Sequence, residues 1–261
     1  MEYYTKQFKS ITEFTRYLES TPFNKHFEPE HRRQSTWDNF DWYQTHTYEE
    51  AQDLFRNGWD YGIQKLNTKF QASKQLLNGT KRKCIPGVVG HAPIVPLYLA
   101  GVPTNMLQQI QIRCKSKVVD VTKSICYNVR VKSDTIIAES VKALQVVQLL
   151  ESQGYRVNLN VALVSVERNR TIGCSVRIKG ANEKLNISKL AFPMVHPSML
   201  RRMIFRFIEV FKHTTSDYIG GYGKPLESEM AKAFPGTIVL PAIWSKQVED
   251  IKSIDDLVGR A

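Results

Sequence analysis

The sequence predicts an α/β fold: a three-layer sheet with flanking helices and an edge hairpin, preceded by a helical, aromatic-rich N-terminal region packed onto it. Two observations support this class. From residue 109 onward, apolar residues alternate with polar ones in several segments, as in half-buried strands, and segments with helical spacing separate them. Strand, helix, strand, hairpin strand, helix and strand then follow in order, a sequence typical of helices on both faces of a sheet.

The N-terminal region is expected to centre on one long helix. Thr47 followed by Glu50 forms a capping box, which predicts a helix that starts there and runs to about residue 77. Its apolar stripe includes Gly58 and Gly62, each of which lowers helix stability by about 1 kcal/mol. Either another backbone approaches closely at these glycines, or the helix kinks there.

A proline-rich apolar connection follows. The stretch 85–112 carries no Asp, Glu, Lys or Arg, but four prolines exclude a membrane helix because each removes a backbone donor. We expect so apolar a segment to pack across the body of the protein. The chain is therefore predicted to consist of an N-terminal region, residues 1–109, and a basic α/β domain, residues 110–261. The alternative that both form one compact unit stays open.

The α/β part of the chain has clear element signals. Residues 117–121 form a short strand, and a helix begins at Ser133 or Asp134 and ends at Gly154. Alternating residues predict strands over 155–166 and 171–179, joined as a hairpin. An amphipathic helix over 197–211 and a buried strand over 237–243 complete the pattern. In that helix, the spacing places three arginines on the solvent face.

The excess of positive over negative charge lies entirely in the middle of the chain. Residues 110–212 contain 18 Lys or Arg and 7 Asp or Glu, a net charge of +11 that equals the charge of the whole chain. Such a surface favours a polyanion, because displaced counterions give affinity for phosphates. A solvated basic surface and an acidic protein partner are the alternatives. The candidate nucleic-acid or phosphate-binding residues are Arg113, Lys115, Lys117, Arg201, Arg202 and Arg206.

The cysteines and the N-terminus indicate a reducing compartment. Cys84, Cys114, Cys126 and Cys174 form no CxxC pair, which is typical of buried thiols in the cytoplasm. The first residues lack the basic and apolar pattern of a signal peptide. We therefore expect a cytoplasmic protein with no membrane contact, whose oligomeric state the sequence leaves open.

One short motif suggests a metal ion. Asp120, Thr122 and Ser124 form DxTxS, which presents a carboxylate and two hydroxyls at alternate positions, and hard oxygens suit Mg²⁺. The motif resembles the DxSxS signature of von Willebrand factor A-type domains, and the order of elements after it is also similar. The resemblance implies a metal-dependent adhesion site. Thr214, Thr215 and Asp217 are candidates for the residues that would complete it. A strand-end cap made by the hydroxyls is the alternative.

The whole chain resembles uncharacterised proteins of tailed bacteriophages. The resemblance is carried by a Gly-Trp-x-x-Gly helix (Gly58, Trp59, Gly62) and by His-Pro-Ser-x-Leu-Arg-Arg over residues 196–202. It implies no known activity; for a phage-encoded chain it places the protein in the host cytoplasm.

No catalytic residue is assigned. His196 and Ser198 are separated by one proline that points them apart, and no partnered acid is evident. We therefore expect a nonenzymatic protein that binds nucleic acid, or assembles on it, through a basic face. Two alternatives stay open: a protein-interaction scaffold that uses the DxTxS motif, and a metal-dependent hydrolase or nuclease.

Overall fold

The computed structural model describes residues 2–22, 32–34, 36, 40–73, 83–110, 117–127, 131–167, 170–210 and 227–243. Strands in these ranges form a five-stranded sheet of order β1-β7-β6-β5-β8 and a three-stranded sheet of order β2-β4-β3. The strands are β1 (Glu2–Phe8), β2 (Lys83–Gly87), β3 (Ala92–Pro93), β4 (Met106–Ile110), β5 (Val118–Ser124), β6 (Arg156–Glu167), β7 (Arg170–Lys179) and β8 (Thr237–Leu240).

Helices occupy most of the remaining described residues. They are α1 (Ile11–Ser20), α2 (Phe40–Tyr43), α3 (Tyr48–Asn57), α4 (Asp60–Ser73), α5 (Val95–Leu99), α6 (Ser133–Ser152), α7 (Ile187–Val195), a π-helical segment (Met199–Ile204), α8 (Phe205–Glu209) and α9 (Glu227–Ala233). Among the helices in the described ranges, none combines the length and the apolar composition that a membrane span requires.

Strand β5 lies between β6 and β8 in the larger sheet. It pairs in parallel with β6 on one side and with β8 on the other, and β7 returns antiparallel to β6 as the predicted hairpin requires. Helix α6 makes the crossover between the parallel strands β5 and β6, as such a connection needs. The α/β class is confirmed as a mixed sheet with helices on both sides.

The hairpin strand is not the edge of the sheet, because β1 pairs in parallel with β7 beyond it. Strand β1 was not predicted from the sequence. Tyr4, Lys6 and Phe8 share one face of this strand, but only Phe8 is buried, so the apolar alternation is weak. The Phe8 ring packs at 5.0 Å from that of Phe14 and at 5.8 Å from that of Phe207, which fixes the strand against the helices.

Helices cover both faces of this sheet. On one face, α3, α4, α6 and α7 pack in a single core that also contains the apolar side chains of β5, β6 and β7. On the other face, Met230 of α9 and Phe234, which follows α9, pack over Ala162 and Val164 of β6. Gly173 leaves room for this contact, because a Cβ there would lie 3.1 Å from the Phe234 ring.

Helix α6 confirms the predicted helix from Ser133. Its residues Ile136, Leu144 and Val147 are buried at helical spacing. Ser140 lies on the same buried side and donates a hydrogen bond to the carbonyl of Met194, which ties α6 to α7. The helix ends before Gly154, whose φ of +93° favours glycine.

The long N-terminal helix is broken into α3 and α4, so the kink predicted as one alternative is observed. The Thr47 hydroxyl accepts a hydrogen bond from the amide of Glu50 at 3.1 Å, as in a capping box. The Glu50 carboxylate instead takes the amide of His46. Gly58 ends α3 with a φ of +100°, and a Cβ at Gly62 would lie within the ring of Trp59.

The proline-rich connection forms a separate arm, defined here as residues 83–110. It contains β2, β3, β4 and α5. None of its described side chains belongs to either hydrophobic core, and nearly all are at least partly exposed. The prediction that this segment packs across the body is therefore wrong, because the segment satisfies its backbone hydrogen bonds within its own small sheet.

Residues from both sides of the predicted boundary at 109 and 110 share one sheet and one core. Strand β1 extends the sheet of the α/β part. Phe14 and Phe55 belong to the same cluster as Val121, Leu144 and Phe207. Outside the arm, the described N-terminal elements and the α/β elements are therefore one structural unit.

Candidate functional site

The three arginines predicted on a solvent-exposed helix face are buried, so that orientation is wrong. Arg202 is fully buried, and Arg201 and Arg206 are each 3% exposed. Every residue from 199 to 209 is buried. Helical periodicity in a sequence indicates one buried stripe. Here the residues around 42–46 and the end of α1 also cover the side of the helix that the sequence predicted to be exposed. The π-helical segment in addition changes the angular spacing of the side chains.

Arg202 binds the backbone of the segment before α3. Its Nε donates to the hydroxyl of Thr45 at 2.6 Å, and Nη2 donates to the carbonyls of Thr45 at 2.8 Å and His46 at 3.1 Å. The guanidinium also lies over the ring of Tyr43, 4.4 Å from its centroid. The planar fork of donors suits several carbonyls at once. Arg202 thus acts as a structural cross-link.

Arg201 and Arg206 act in the same way. The Arg201 guanidinium stacks 3.6 Å above the ring of Trp42 and donates to its carbonyl. Arg206 donates to the carbonyls of Leu18 and Thr21 at the end of α1. Burial lowers the pKa of Arg201 to about 10, so it stays charged at neutral pH. We call Arg201, Arg202 and Arg206 the arginine clasp.

His196 and Ser198 form part of the same packing. The Ser198 amide donates to His196 Nδ1 at 3.1 Å, and its hydroxyl donates to the carbonyl of Tyr43 at 2.5 Å. The imidazole stacks on Phe192 and meets the edge of Trp59. Burial lowers the pKa of His196 to about 3, with Arg202 and Arg201 adding to the effect. The hydroxyl is therefore directed to the backbone and not to a base.

The DxTxS residues lie inside strand β5, not on a loop at its end. They share a face, as alternation predicts, but the hydroxyls are occupied within the sheet. The Thr122 hydroxyl lies 2.8 Å from that of Thr237 on β8, and Ser124 Oγ accepts the amide two residues on. Both side chains are buried, and the Asp120 carboxylate pairs with Arg177 at 3.4 Å. This arrangement does not fit Mg²⁺, because the oxygens are engaged and a cation stands beside the carboxylate.

The residues suggested to complete the metal site, Thr214, Thr215 and Asp217, lie outside the described residues. Within the described ranges, no group of three His, Cys, Asp or Glu side chains is placed to hold a metal ion. The alternative prediction, a cap in which the hydroxyls bind loop amides, agrees with the hydrogen bond of Ser124 but not with that of Thr122, whose hydroxyl pairs with Thr237 inside the sheet.

Of the other predicted phosphate-binding residues, Arg113 and Lys115 lie outside the described residues. Lys117 is exposed at the start of β5, and its carbonyl accepts a hydrogen bond from the amide of Arg156 at 3.1 Å. Arg156 is exposed as well and begins β6. The backbones of these two residues are therefore adjacent at one end of the sheet, with Arg156 on the face of Asp120 and Lys117 next to it in the neighbouring strand.

A third cation lies next to this pair. Arg177 on β7 pairs with Asn160 of β6, and its guanidinium reaches Asp120 of β5 because these residues point to the same sheet face. Arg156 also points to this face and donates to the side-chain carbonyl of Asn182 at 2.6 Å. We call Lys117, Arg156 and Arg177 the basic end of the sheet. The sequence signal for Arg156 and Arg177 was their place in the alternation of β6 and β7.

Lys123 is a buried cation that the sequence analysis did not single out as such. It faces away from the DxTxS residues, since neighbouring strand residues point to opposite faces. Its ammonium donates to the hydroxyl of Tyr127 at 2.8 Å. Burial lowers the pKa of Lys123 to about 7, although the nearby carboxylate of Glu139 opposes this change. The sequence signal for the burial of this lysine was its position on the apolar side of the β5 alternation.

An open cleft of about 500 Å³ lies between α4, α6 and the residues before α7. Amide side chains dominate its lining, with Asn67, Gln71 and Gln148 on the helices and Lys184 at its rim. Asn186 also lines it, but its side-chain oxygen already caps α7 through the amide of Ser188. The lining contains no carboxylate or imidazole, so it offers no pair of groups for acid and base catalysis.

Comparisons with known proteins place the chain in one family. The family model described as Domain of unknown function (DUF7192) matches residues 2–258, nearly the full length. No curated protein and no solved structure matches the chain.

Proposed function

Because the chain belongs to the DUF7192 family, whose function is unknown, we propose its function from geometry: a nonenzymatic protein that binds nucleic acid at the basic end of its sheet. The observation that carries the proposal is the grouping of Lys117, Arg156 and Arg177 around one end of the sheet, with Asp120 paired to Arg177 there. Two of these cations are guanidinium groups, whose planar donors match phosphate oxygens.

Several features of this surface suit a phosphate backbone. Lys117 and Arg156 are exposed, and their backbones are adjacent at the end of the sheet, so a phosphate backbone that crosses this end contacts both. The hydrogen bond to Asn182 holds the Arg156 side chain in place, which reduces the entropy lost on binding. Contacts of this kind give affinity without sequence preference.

The fold is the second part of the proposal: an architecture like that of von Willebrand factor A-type domains. In support, β5 carries the DxTxS motif, α6 and the parallel strand β6 follow it, and β7 then forms an antiparallel hairpin. A metal-dependent adhesion site is not part of this proposal, because the Thr122 and Ser124 hydroxyls are engaged in the sheet. The likeness to tailed-bacteriophage proteins stays a prediction.

The test is fluorescence anisotropy with labelled DNA and RNA of mixed sequence over a range of salt concentrations. We expect binding that weakens steeply with salt. The double variant Lys117→Glu, Arg156→Glu should bind more weakly, and the slope of log K against log salt should fall by about 2 in magnitude, since two phosphate contacts are lost.

The matched control is the double variant Arg16→Glu, Lys65→Glu, which makes the same charge change at exposed positions on α1 and α4. It should retain most of the affinity. The proposal fails if wild-type protein does not bind at low salt, or if the control loses as much affinity as the variant at the basic end.

A further inference from the structure

Asp120 places a carboxylate among the cations of the basic end of the sheet. It lies on β5 with Asn158 of β6 as its direct partner, and Arg156 lies two residues before Asn158 on the same face. The side chains of Asp120 and Arg177 are 42% and 34% exposed. A phosphate that reaches Arg156 or Arg177 on this face therefore also meets the negative charge of Asp120.

The ion pair between Asp120 and Arg177 is loose. One hydrogen bond joins Arg177 Nη2 to Asp120 Oδ1 at 3.4 Å, whereas charge-assisted hydrogen bonds usually measure about 2.7–2.9 Å. By comparison, Lys179 and Glu151 approach to 2.6 Å. The pair also lacks the two parallel hydrogen bonds of a well-matched guanidinium and carboxylate. A loose, half-exposed pair of this kind contributes little stability, so another anion replaces the carboxylate at low cost.

Arg177 has donor capacity that Asp120 does not use. Its Nε is buried and has no hydrogen-bond partner among the residues that the structure describes. A buried donor without an acceptor is costly, and a guanidinium carries five donors in one plane. Once released from Asp120, the side chain can turn so that a phosphate accepts hydrogen bonds from Nε and Nη2 together. A phosphate therefore satisfies Arg177 better than Asp120 does.

We propose that the Asp120 carboxylate is an internal competitor for the phosphate at Arg177. The inference rests on the proposed function and adds how that site is regulated. In the free protein Asp120 holds the guanidinium, and a phosphate of the nucleic acid must displace it to bind there. Among the described residues, no carboxylate pairs with Lys117 or Arg156. These two cations supply the first contacts, and the competition at Arg177 keeps the affinity low and the complex readily reversible.

The test is fluorescence anisotropy with labelled DNA of mixed sequence at several salt concentrations. Asp120→Asn keeps the shape of the side chain and removes its charge. It should bind about tenfold more tightly than wild type at low salt, and the slope of log K against log salt should rise by about 1 in magnitude, because one more cation faces the phosphates. Asp120→Ser should show the same gain, which excludes a new contact made by asparagine. Circular dichroism checks that each variant is folded.

Two controls separate competition from a general loss of negative charge. Asp120→Glu keeps the carboxylate and should bind like wild type. Asp134→Asn breaks a similarly loose pair, since Asp134 lies 3.5 Å from Lys69 where α6 begins, at the opposite end of β5. It should raise the affinity by less than about twofold, because salt screens a charge so far from the basic end of the sheet.

The decisive comparison repeats Asp120→Asn in a protein that carries Arg177→Gln. Without the guanidinium there is nothing to compete for, so the gain should fall below about threefold. The inference is overturned if the gain stays as large, since charge alone then explains it. It is also overturned if wild type binds and Asp120→Asn binds no more tightly, a result that leaves the proposed function standing. If neither protein binds at low salt, the proposed function and the inference both fail.

Discussion

Arg202 holds two distant parts of the chain together through one side chain. Its guanidinium is fully buried and donates to Thr45 and to the carbonyl of His46, more than 150 positions earlier in the sequence. A buried cation is costly unless hydrogen bonds satisfy its donors. Here the carbonyl dipoles do so, and the position of the segment before α3 depends on them.

We predict that Arg202→Met destabilises the protein by about 3 kcal/mol, because the carbonyls of Thr45 and His46 lose their donor inside the protein. Urea denaturation followed by tryptophan fluorescence measures this change. Arg16→Met, at an exposed position of α1, should change stability by less than about 0.5 kcal/mol. A loss below about 1 kcal/mol for Arg202→Met would show that the clasp is not structural.

Single residues show where prediction from the sequence stops. The Thr47 cap was predictable because it depends on neighbours three positions away. The burial of Arg201 and Arg202 was not, because the residues that cover them are near Trp42 and Thr45. The alternation of β5 predicted the sheet face on which Asp120 lies. It could not predict the ion pair with Arg177, because that depends on how the strands pair.

Elements with strong periodicity were predicted well. Helix α6 has a long buried stripe, and β6 and β7 alternate over many residues, so local pattern and packing agree. Strand β1 was missed because, among its described side chains, only Phe8 is buried. The arm was misplaced, since its apolar composition does not show whether the partner surface lies in the same chain.

The arm's place in the structure leads to a deletion test. Lys83 and Ile110 are direct partners in the β2 and β4 pairing, so the two ends of the arm lie next to each other. We predict that replacing residues 84–109 with a short Asn-Gly turn leaves the body folded, with a Tm within about 5 °C of wild type. Differential scanning calorimetry measures this.

The same deletion tests whether nucleic-acid binding depends on the arm. The shortened chain should bind nucleic acid as wild type does, since the basic end of the sheet lies in the body. Unfolding of the shortened chain would show that the arm supports the body through contacts beyond its own sheet.

At the scale of the whole molecule, the net charge of +11 overstates the positive surface. Three arginines of the clasp and two lysines, Lys123 and Lys179, are buried. All five belong to the basic middle of the chain, where the sequence analysis counted them as surface charge. The positive charge available to a ligand is therefore smaller and more local, which is why the basic end of the sheet replaces the broad face predicted from the sequence.

Lys123 gives the whole protein a pH-dependent stability. Its pKa in the folded state is about 7, against an ordinary value of 10.5. Between these values the unfolded chain holds one more proton than the folded chain, so the free energy of unfolding rises with pH. The slope is at most about 1.4 kcal/mol per pH unit, and the burial of Lys123 destabilises the fold most at pH 7 and below, where the lysine is protonated in both states.

We predict that Lys123→Met removes this dependence, because methionine has a similar shape and no charge to bury. Urea denaturation at several pH values between 7 and 9.5 gives the free energy of unfolding of both proteins. Wild type should gain stability relative to Lys123→Met as the pH rises, whereas Lys65→Met, at an exposed position, should run parallel to wild type. A stability difference between wild type and Lys123→Met that stays constant with pH would contradict this prediction. It would mean that Lys123 keeps its proton in the folded protein and that water reaches it between α6 and β5.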